Sequence, residues 1–410
     1  MYASFYRVLL LLVYFANGAM SQCPRQCRCN MVLTWIDCRD SRILNISSNW
    51  SIFRTATYLD LSQNLISDIR EFPRNKLVHL VLFNNSISTI GNGSMKNASN
   101  LMNLNLGYND ISTLNRDGFV GLWQLKILSL THNKLKTIRQ IDLHHLVRLE
   151  DLDLSHNMIK FITERAFIRL PELSMLNVSH NYIHRLHDDW FNEKSNLKMF
   201  NISHNKIDTL IGRPFRNLHN LTSLDLRCNH INGITRDTFA KQRRLENVYL
   251  QHNRIYSIEE NSFNSSWKQL SIVDVSDNLL SFLPKRLLPW SRLDYLNLTN
   301  NTWTCDCDVL WMKDLPSTAY LVCSAPRYLR GVLIVDVEKH LYCSSIASWV
   351  LLGTLVPVSL IFVISTGAIA RRYKCHRKRR ENASSSVKYE QYRNEGEQTD
   401  FLFLRSSAIL

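Results

Sequence analysis

The sequence predicts an α/β horseshoe: a solenoid of short parallel strands, capped at both ends by cysteine clusters and followed by one transmembrane helix. Three observations carry this. The pattern L-x-x-L-x-L-x-x-N-x-I/L returns eleven times between residues 56 and 303. Four cysteines stand just before the first copy and four just after the last. A 25-residue stretch without a charge, Ile346–Ala370, comes next, with RRYKCHRKRR behind it.

The chain opens as a secretory signal, residues 1–21. Arg7 supplies the positive region, and Val8–Ala16 is an apolar core too short to span a bilayer. Small residues follow, with Gly18 or Ser21 before the cut. Residues 22–55 form the first cap and residues 56–303 the repeat array.

In the array the last asparagine of each copy is Asn64, Asn85, Asn109, Asn133, Asn157, Asn181, Asn205, Asn229, Asn253, Asn278 and Asn301. Seven successive gaps are 24 residues long. In LEDLDLSHNMI (Leu149–Ile159), Leu152 alternates with Asp151 and Asp153, which is a strand with one wet face. Asn157 ends that strand, and its amide both donates and accepts, so it can satisfy backbone groups in a turn. Ten residues after the asparagine stand Phe119, Phe167, Phe191, Phe215, Phe239 and Phe263, which stacked copies assemble into an aromatic spine. A 24-residue repeat leaves little room for a full helix on that side, so extended or 3₁₀ pieces are expected.

So regular a pattern resembles the leucine-rich repeat family over residues 22–343, about four-fifths of the chain. One rung cannot bury its own core, so such an array needs caps. The first cap holds Cys23, Cys27, Cys29 and Cys38, and the second, residues 304–345, holds Cys305, Cys307, Cys323 and Cys343. A secreted context makes both disulfide frameworks rather than zinc sites, and spacing alone allows three pairings in each. The resemblance to extracellular leucine-rich repeat proteins with cysteine-rich flanks, of the Slit kind, implies Cys23–Cys29, Cys27–Cys38, Cys305–Cys323 and Cys307–Cys343. The run Asn301, Trp303, Cys305, Cys307 is specific to the C-terminal flank of that group.

Residues 346–370 give about 37 Å of helix, enough to cross a core of ~30 Å with some tilt. Pro357 lies inside the span. Seven of the ten basic residues of 371–410 fall in Arg371–Arg380, which places the tail inside the cell and the repeats outside. The expected product is a type I single-pass protein of the plasma membrane. A 40-residue tail is too short for a catalytic domain.

Net charge is +14, but residues 22–345 hold 38 basic and 30 acidic residues, so nucleic acid is not an expected partner. No catalytic elbow, phosphate loop or metal-ligand set is apparent. Histidines and acids are scattered over the rungs, and no enzyme activity, metal or cofactor is expected. Position eight of the repeat carries His132, His156, His180, His204 and His252, interrupted by Cys228. A ladder of imidazoles about 5 Å apart offers a pH sensor or a metal site. The plainer reading, adopted here, is S-H-N as repeat filler with its side chain in water. Cys228 is read as a free thiol in preference to an intermolecular bond.

Extracellular sequons fall at Asn45, Asn49, Asn84, Asn92, Asn97, Asn177, Asn201, Asn220, Asn264, Asn297 and Asn300; Asn382 matches but is cytoplasmic. None falls between Asn97 and Asn177. That gap makes rungs three to five the candidate ligand face, with Asn103, Asn105, Tyr108, Ile127, Ser129, Asp151 and Asp153 on the concave side. In the tail, Cys375 is a palmitoylation candidate. Tyr389 and Tyr392 are weak phosphorylation candidates, and Ala408–Leu410 is a candidate adaptor-docking end.

The expected function is binding of an extracellular protein ligand, as adhesion molecule, receptor or signalling co-receptor, with a cytoplasmic adaptor engaged by the tail. The single span, short tail and cysteine caps are similar to trophoblast glycoprotein, Slit-like and neuronal leucine-rich repeat transmembrane proteins. The trophoblast glycoprotein type, which tunes signalling by secreted growth factors, fits best. A Toll-like receptor is not expected, since its signalling domain exceeds the tail. The alternative is an auxiliary subunit of an ion channel, acting through the span and Arg371–Arg380. Neutralising the seven basic residues of Arg371–Arg380 is expected to scramble orientation. Protease protection of the tail measures this, and unchanged protection would sink the topology.

Overall fold

The computed structural model describes residues 23–337, apart from 31, 33, 47–54 and 316–319. The expected signal, membrane span and tail lie outside the described residues. Among the described residues no helix is long and apolar enough to cross a membrane.

Thirteen strands form one continuous sheet in chain order, apart from two-residue side strands that leave it. Arg28–Cys29 and Trp35–Asp37 pair antiparallel in the N-terminal cap, and every later pairing in this sheet is parallel. Eleven three-residue strands then stack one per rung, from Tyr58–Asp60 to Tyr295–Asn297. The register sets every middle residue against its neighbours: Leu128, Leu152, Leu176, Phe200 and Leu224 align. All five are buried, while the flanking residues face outward, half-buried or exposed apart from Asp225. Period-two alternation thus becomes one dry and one wet sheet face.

Past each strand the backbone enters the left-handed region at one residue per rung. Gln63, Asn84, Tyr108, His132, His156, His180, His204, Cys228, His252, Asp277 and Asn300 all have φ between 52° and 56°. The next residue is the repeat asparagine, buried in every rung but the second, where Asn85 is half-buried. Asn157 Nδ2 donates to the carbonyls of Leu154 (3.1 Å) and Ser155 (3.1 Å) in its own rung and of Leu130 (2.9 Å) in the preceding one. Its Oδ1 accepts from the Leu135 N–H at 3.0 Å. Asn109, Asn133, Asn181, Asn205, Asn229 and Asn253 repeat this set.

The far flank is built mainly of turns. Extended pieces occur as two-residue pairs, Asp68–Ile69 with Thr89–Ile90, Thr137–Ile138 with Phe161–Ile162, and Gly233–Ile234 with Ser257–Ile258. Among the described residues, 3₁₀ segments occur at the last rung and C-terminal cap rather than along the array. One α-helical turn, Gln140–Leu143, stands in the fourth rung, where Leu143 replaces the phenylalanine. The expected spine is buried throughout but runs as two separate ring stacks. Phe167 meets Phe191 at 5.3 Å, and Phe215, Phe239 and Phe263 follow at 5.9 and 5.0 Å. Gly121 has a structural reason here: with φ 94°, any Cβ would fall 2.6 Å from the Lys96 backbone.

Disulfides join Cys23 to Cys29, Cys27 to Cys38, and Cys305 to Cys323. Cys307 is also disulfide-bonded, and Cys343 lies outside the described residues. Trp303 seals the last rung, buried, with its indole N–H donating to the Leu298 carbonyl at 3.3 Å.

Asn157→Ala strands the buried Leu135 N–H of the preceding rung, at about 1–3 kcal/mol for that orphaned group. It also removes one of the donors to the Leu130, Leu154 and Ser155 carbonyls, which keep those of Asn133, Asn181 and the His132 N–H. A drop in the urea midpoint of folding is expected, with Asn157→Asp no better because its buried carboxylate would face three carbonyl oxygens with no donor to offer. A midpoint unchanged in both would show that the bridge does not hold the rungs together.

Candidate functional site

The predicted ligand-face residues lie on two different strips. Asn103 and Asn105 flank Leu104, Ile127 and Ser129 flank Leu128, and Asp151 and Asp153 flank Leu152. Pairing sets Ser129 directly between Asn105 and Asp153. Asn105 and Asp153 are partly committed to their own turns, accepting from the N–H groups of Gly107 (2.9 Å) and Ser155 (2.8 Å). Burial raises the Asp151 carboxyl above the ordinary aspartate range, and the Asp153 charge adds to the shift. Tyr108 is not on the strand face. It occupies the left-handed position beyond it, on the ladder that borders the sheet.

Beside Ile127, which the sequence already placed on this face, the strand face carries further apolar area at Met175 and Met199. Ile127, Met175 and Met199 open their strands on the outer face in exposed positions, with Asp151 between the first two. The available signal was an apolar residue where the alternation calls for a polar one. Met175 and Met199 sit two residues before the sequons Asn177 and Asn201, both half-exposed on the same face. Asn297 has the same strand position, whereas Asn84 and Asn300 belong to the ladder position.

The histidine ladder faces water as the sequence implies, with His132 half-buried and His156, His180 and His204 exposed, but its rings also touch one another. The rings of Tyr108, His132, His156, His180 and His204 stack nearly parallel, with centroids 3.9, 4.1, 4.0 and 4.0 Å apart. Phe83 caps the Tyr108 end at 4.9 Å. Their residue type has a local cause, because histidine and asparagine tolerate positive φ better than most side chains. Burial, and then neighbouring positive charge, hold the His132, His180 and His204 imidazoles below their ordinary pKa; for His204 the foremost charge is Arg227. Asp153 opposes the shift at His132 and Asp225 opposes it at His204. His252 stands apart from the run, 3.7 Å from Asp277. Cys228 between them is a free thiol, half-buried, and burial raises its pKa while Arg227 partly offsets this.

A second cluster lies elsewhere, on the turn flank of rungs three and four. Asp117, His144 and His145 bring potential ligand atoms within 4.8 Å of one another. The sequence reading, which saw acids and histidines scattered, did not join them.

A family model described as "Leucine rich repeat" matches residues 75–135, 124–183, 176–231, 210–255 and 243–302. Among curated proteins, chondroadherin of Mus musculus is 32% identical over 80 residues, 18% of this chain and 22% of that protein. A phospholipase A2 inhibitor of Gloydius brevicaudus siniticus is 29% identical over 84 residues, 18% of this chain and 25% of its own length. The chain thus matches about a quarter of the length of these relatives. A chain from the octameric complex of Latrophilin 3, Unc5D and FLRT2 superposes with TM-score 0.65 at 23% identity, covering 79% of this chain and all of that one. One from the mouse RP105/MD-1 complex gives 0.61 at 23% identity, covering 74% and 53%. At this identity the likeness shows the fold alone.

The ladder predicts a pH response. Above about pH 6.5, the ordinary histidine value, neither folded nor unfolded imidazoles hold the extra proton. As pH falls through that value, the unfolded chain takes up protons that the folded His132, His180 and His204 refuse, so stability falls. Thermal unfolding at stepped pH should show this loss in the parent. It should be smaller in a His132→Asn, His180→Asn, His204→Asn variant, and equal slopes would refute the assignment.

Proposed function

The chain belongs to the leucine-rich repeat family, and from that premise we propose that it is a cell-surface protein that binds a protein ligand on its sheet face. Residues 1–21 act as the signal, 346–370 as a single type I span, and 371–410 as the cytoplasmic tail. The layout favours the trophoblast glycoprotein type, an adhesion or co-receptor role in which the ectodomain meets a secreted or opposing protein. One observation carries the choice of site: rungs three to five lack sequons and present the exposed Ile127 in a half-buried polar field of Asn103, Asn105, Ser129, Asp151 and Asp153. An apolar anchor ringed by polar groups is the usual composition of a binding hot spot. Tyr108, 45% exposed at the sheet border, extends the apolar area onto the ladder.

Support comes also from the neighbours in fold, whose structures are complexes of several proteins. Glycans on Asn177, Asn201 and Asn297 would obstruct the later rungs and leave rungs three to five open.

Ser129→Asn tests the site, because it creates Asn-Leu-Thr with Leu130 and Thr131 and places a glycan mid-face. Ser129→Ala leaves the face open. With both variants at the cell surface, the glycosylated one is expected to lose binding to proximity-labelled partners that the alanine variant keeps. Equal capture by both would move the site off rungs three to five.

A further inference from the structure

We propose that Asp117, His144 and His145 form a binding site for a divalent transition-metal ion of the zinc class, joining the third rung to the fourth. A carboxylate oxygen of Asp117 and one ring nitrogen from each histidine lie within 4.8 Å of one another. The central pair decides what kind of contact this is. His145 Nε2 is buried, has no hydrogen-bond partner, and stands 3.6 Å from Asp117 Oδ1. That separation is too long for a hydrogen bond. It is close to the edge of a tetrahedron around zinc, about 3.3–3.5 Å for ligand bonds of about 2.0–2.1 Å. A buried nitrogen left without a partner beside a carboxylate at that distance is what a bridging cation would satisfy.

The surroundings hold the three residues in place. His144 and His145 leave the helical turn Gln140–Leu143 at its end. Buried Asp142 anchors that turn by accepting from the Arg139 N–H at 2.7 Å and from its guanidinium at 2.8 Å. The same guanidinium donates to the Leu114 carbonyl at 3.0 Å, tying the helix to the segment that carries Asp117. On that segment Asn115 Nδ2 donates to the Ile90 carbonyl at 2.8 Å, and the Asp117 carbonyl accepts from the Gly93 N–H at 2.8 Å. His144 Nδ1 lies 2.7 Å from the Ile141 carbonyl and therefore carries the proton, which leaves Nε2 its lone pair. Backbone-held tautomers of this kind orient histidines at metal centres. The indole of Trp123 stands edge-on to His145 with centroids 6.0 Å apart and walls one side. Two imidazoles and a carboxylate suit zinc, with solvent as the fourth ligand.

The test uses the full-length protein in detergent, stripped with chelator and titrated with Co²⁺ alone as a spectroscopic substitute for Zn²⁺. One equivalent is expected to bind with visible absorption of tetrahedral intensity and to be displaced by Zn²⁺. Asp117→Asn and His145→Gln should each weaken binding by roughly a hundredfold or more, beyond the effect of losing an outer-shell partner. His144→Gln, on a partly exposed ring, supplies the same reading should either fail to fold. Zn²⁺ should raise Tm in the parent and not in these variants. A His156→Asn, His180→Asn variant should bind as the parent does. The proposal falls if no saturable equivalent appears, if Asp117→Asn and His144→Gln bind as the parent does, or if the loss follows the ladder variant instead.

Discussion

Everything in this array depends on one side chain that is shared between two turns of backbone. In Asn157 a single amide bonds four backbone groups, three carbonyls and one N–H, and two of the four lie in the preceding rung. The buried Leu135 N–H depends on this bond, and leaving it unpaired would cost as much as a hydrogen bond is worth, so an apolar substitute is unfavourable here. The asparagine can reach all four only if the chain reverses sharply just before it. That reversal is the left-handed residue, which is why eleven non-glycine side chains adopt positive φ at the same position of successive rungs.

The ring stack follows from the same constraint. Once position eight is fixed by the bond that its neighbour makes, each side chain there stands over its equivalent in the next rung. Rungs of equal length then bring five aromatic rings into contact without any one of them having been placed by packing. Desolvation and neighbouring charge act on these imidazoles because they are held face to face.

Much of this was legible beforehand. The strands, their wet and dry faces, the bridging asparagines and the buried phenylalanines follow from a periodicity of two inside a periodicity of 24. Two features were not legible, for a common reason. The contact between rings at position eight was hidden because sequence gives residue type and spacing but not φ, and it is φ that swings Tyr108 off the strand face and turns the water-facing histidines onto one another. Asp117 and the His144–His145 pair lie on the variable part of the repeat, where length and composition differ between rungs. Their meeting depends on the helical turn at Gln140–Leu143 and on Arg139 reaching back to Leu114, neither of which the repeat pattern encodes. The exposed methionines were hidden by the opposite fault: an apolar residue in a leucine-rich segment attracts no notice until its direction is known.

The asparagine bonds have a consequence for how such a molecule changes over generations. Each reaches back by one rung and no further, and seven consecutive intervals have the same length. A duplication or loss of one whole 24-residue unit therefore meets, at the new junction, the same carbonyls and the same N–H that it left. The sheet face can lengthen or shorten in steps of one strand spacing, about 4.8 Å, while both disulfide caps stay as they are. The span of the sheet can thus change by recombination within the gene, one rung at a time, with the junction bonds preserved at each step.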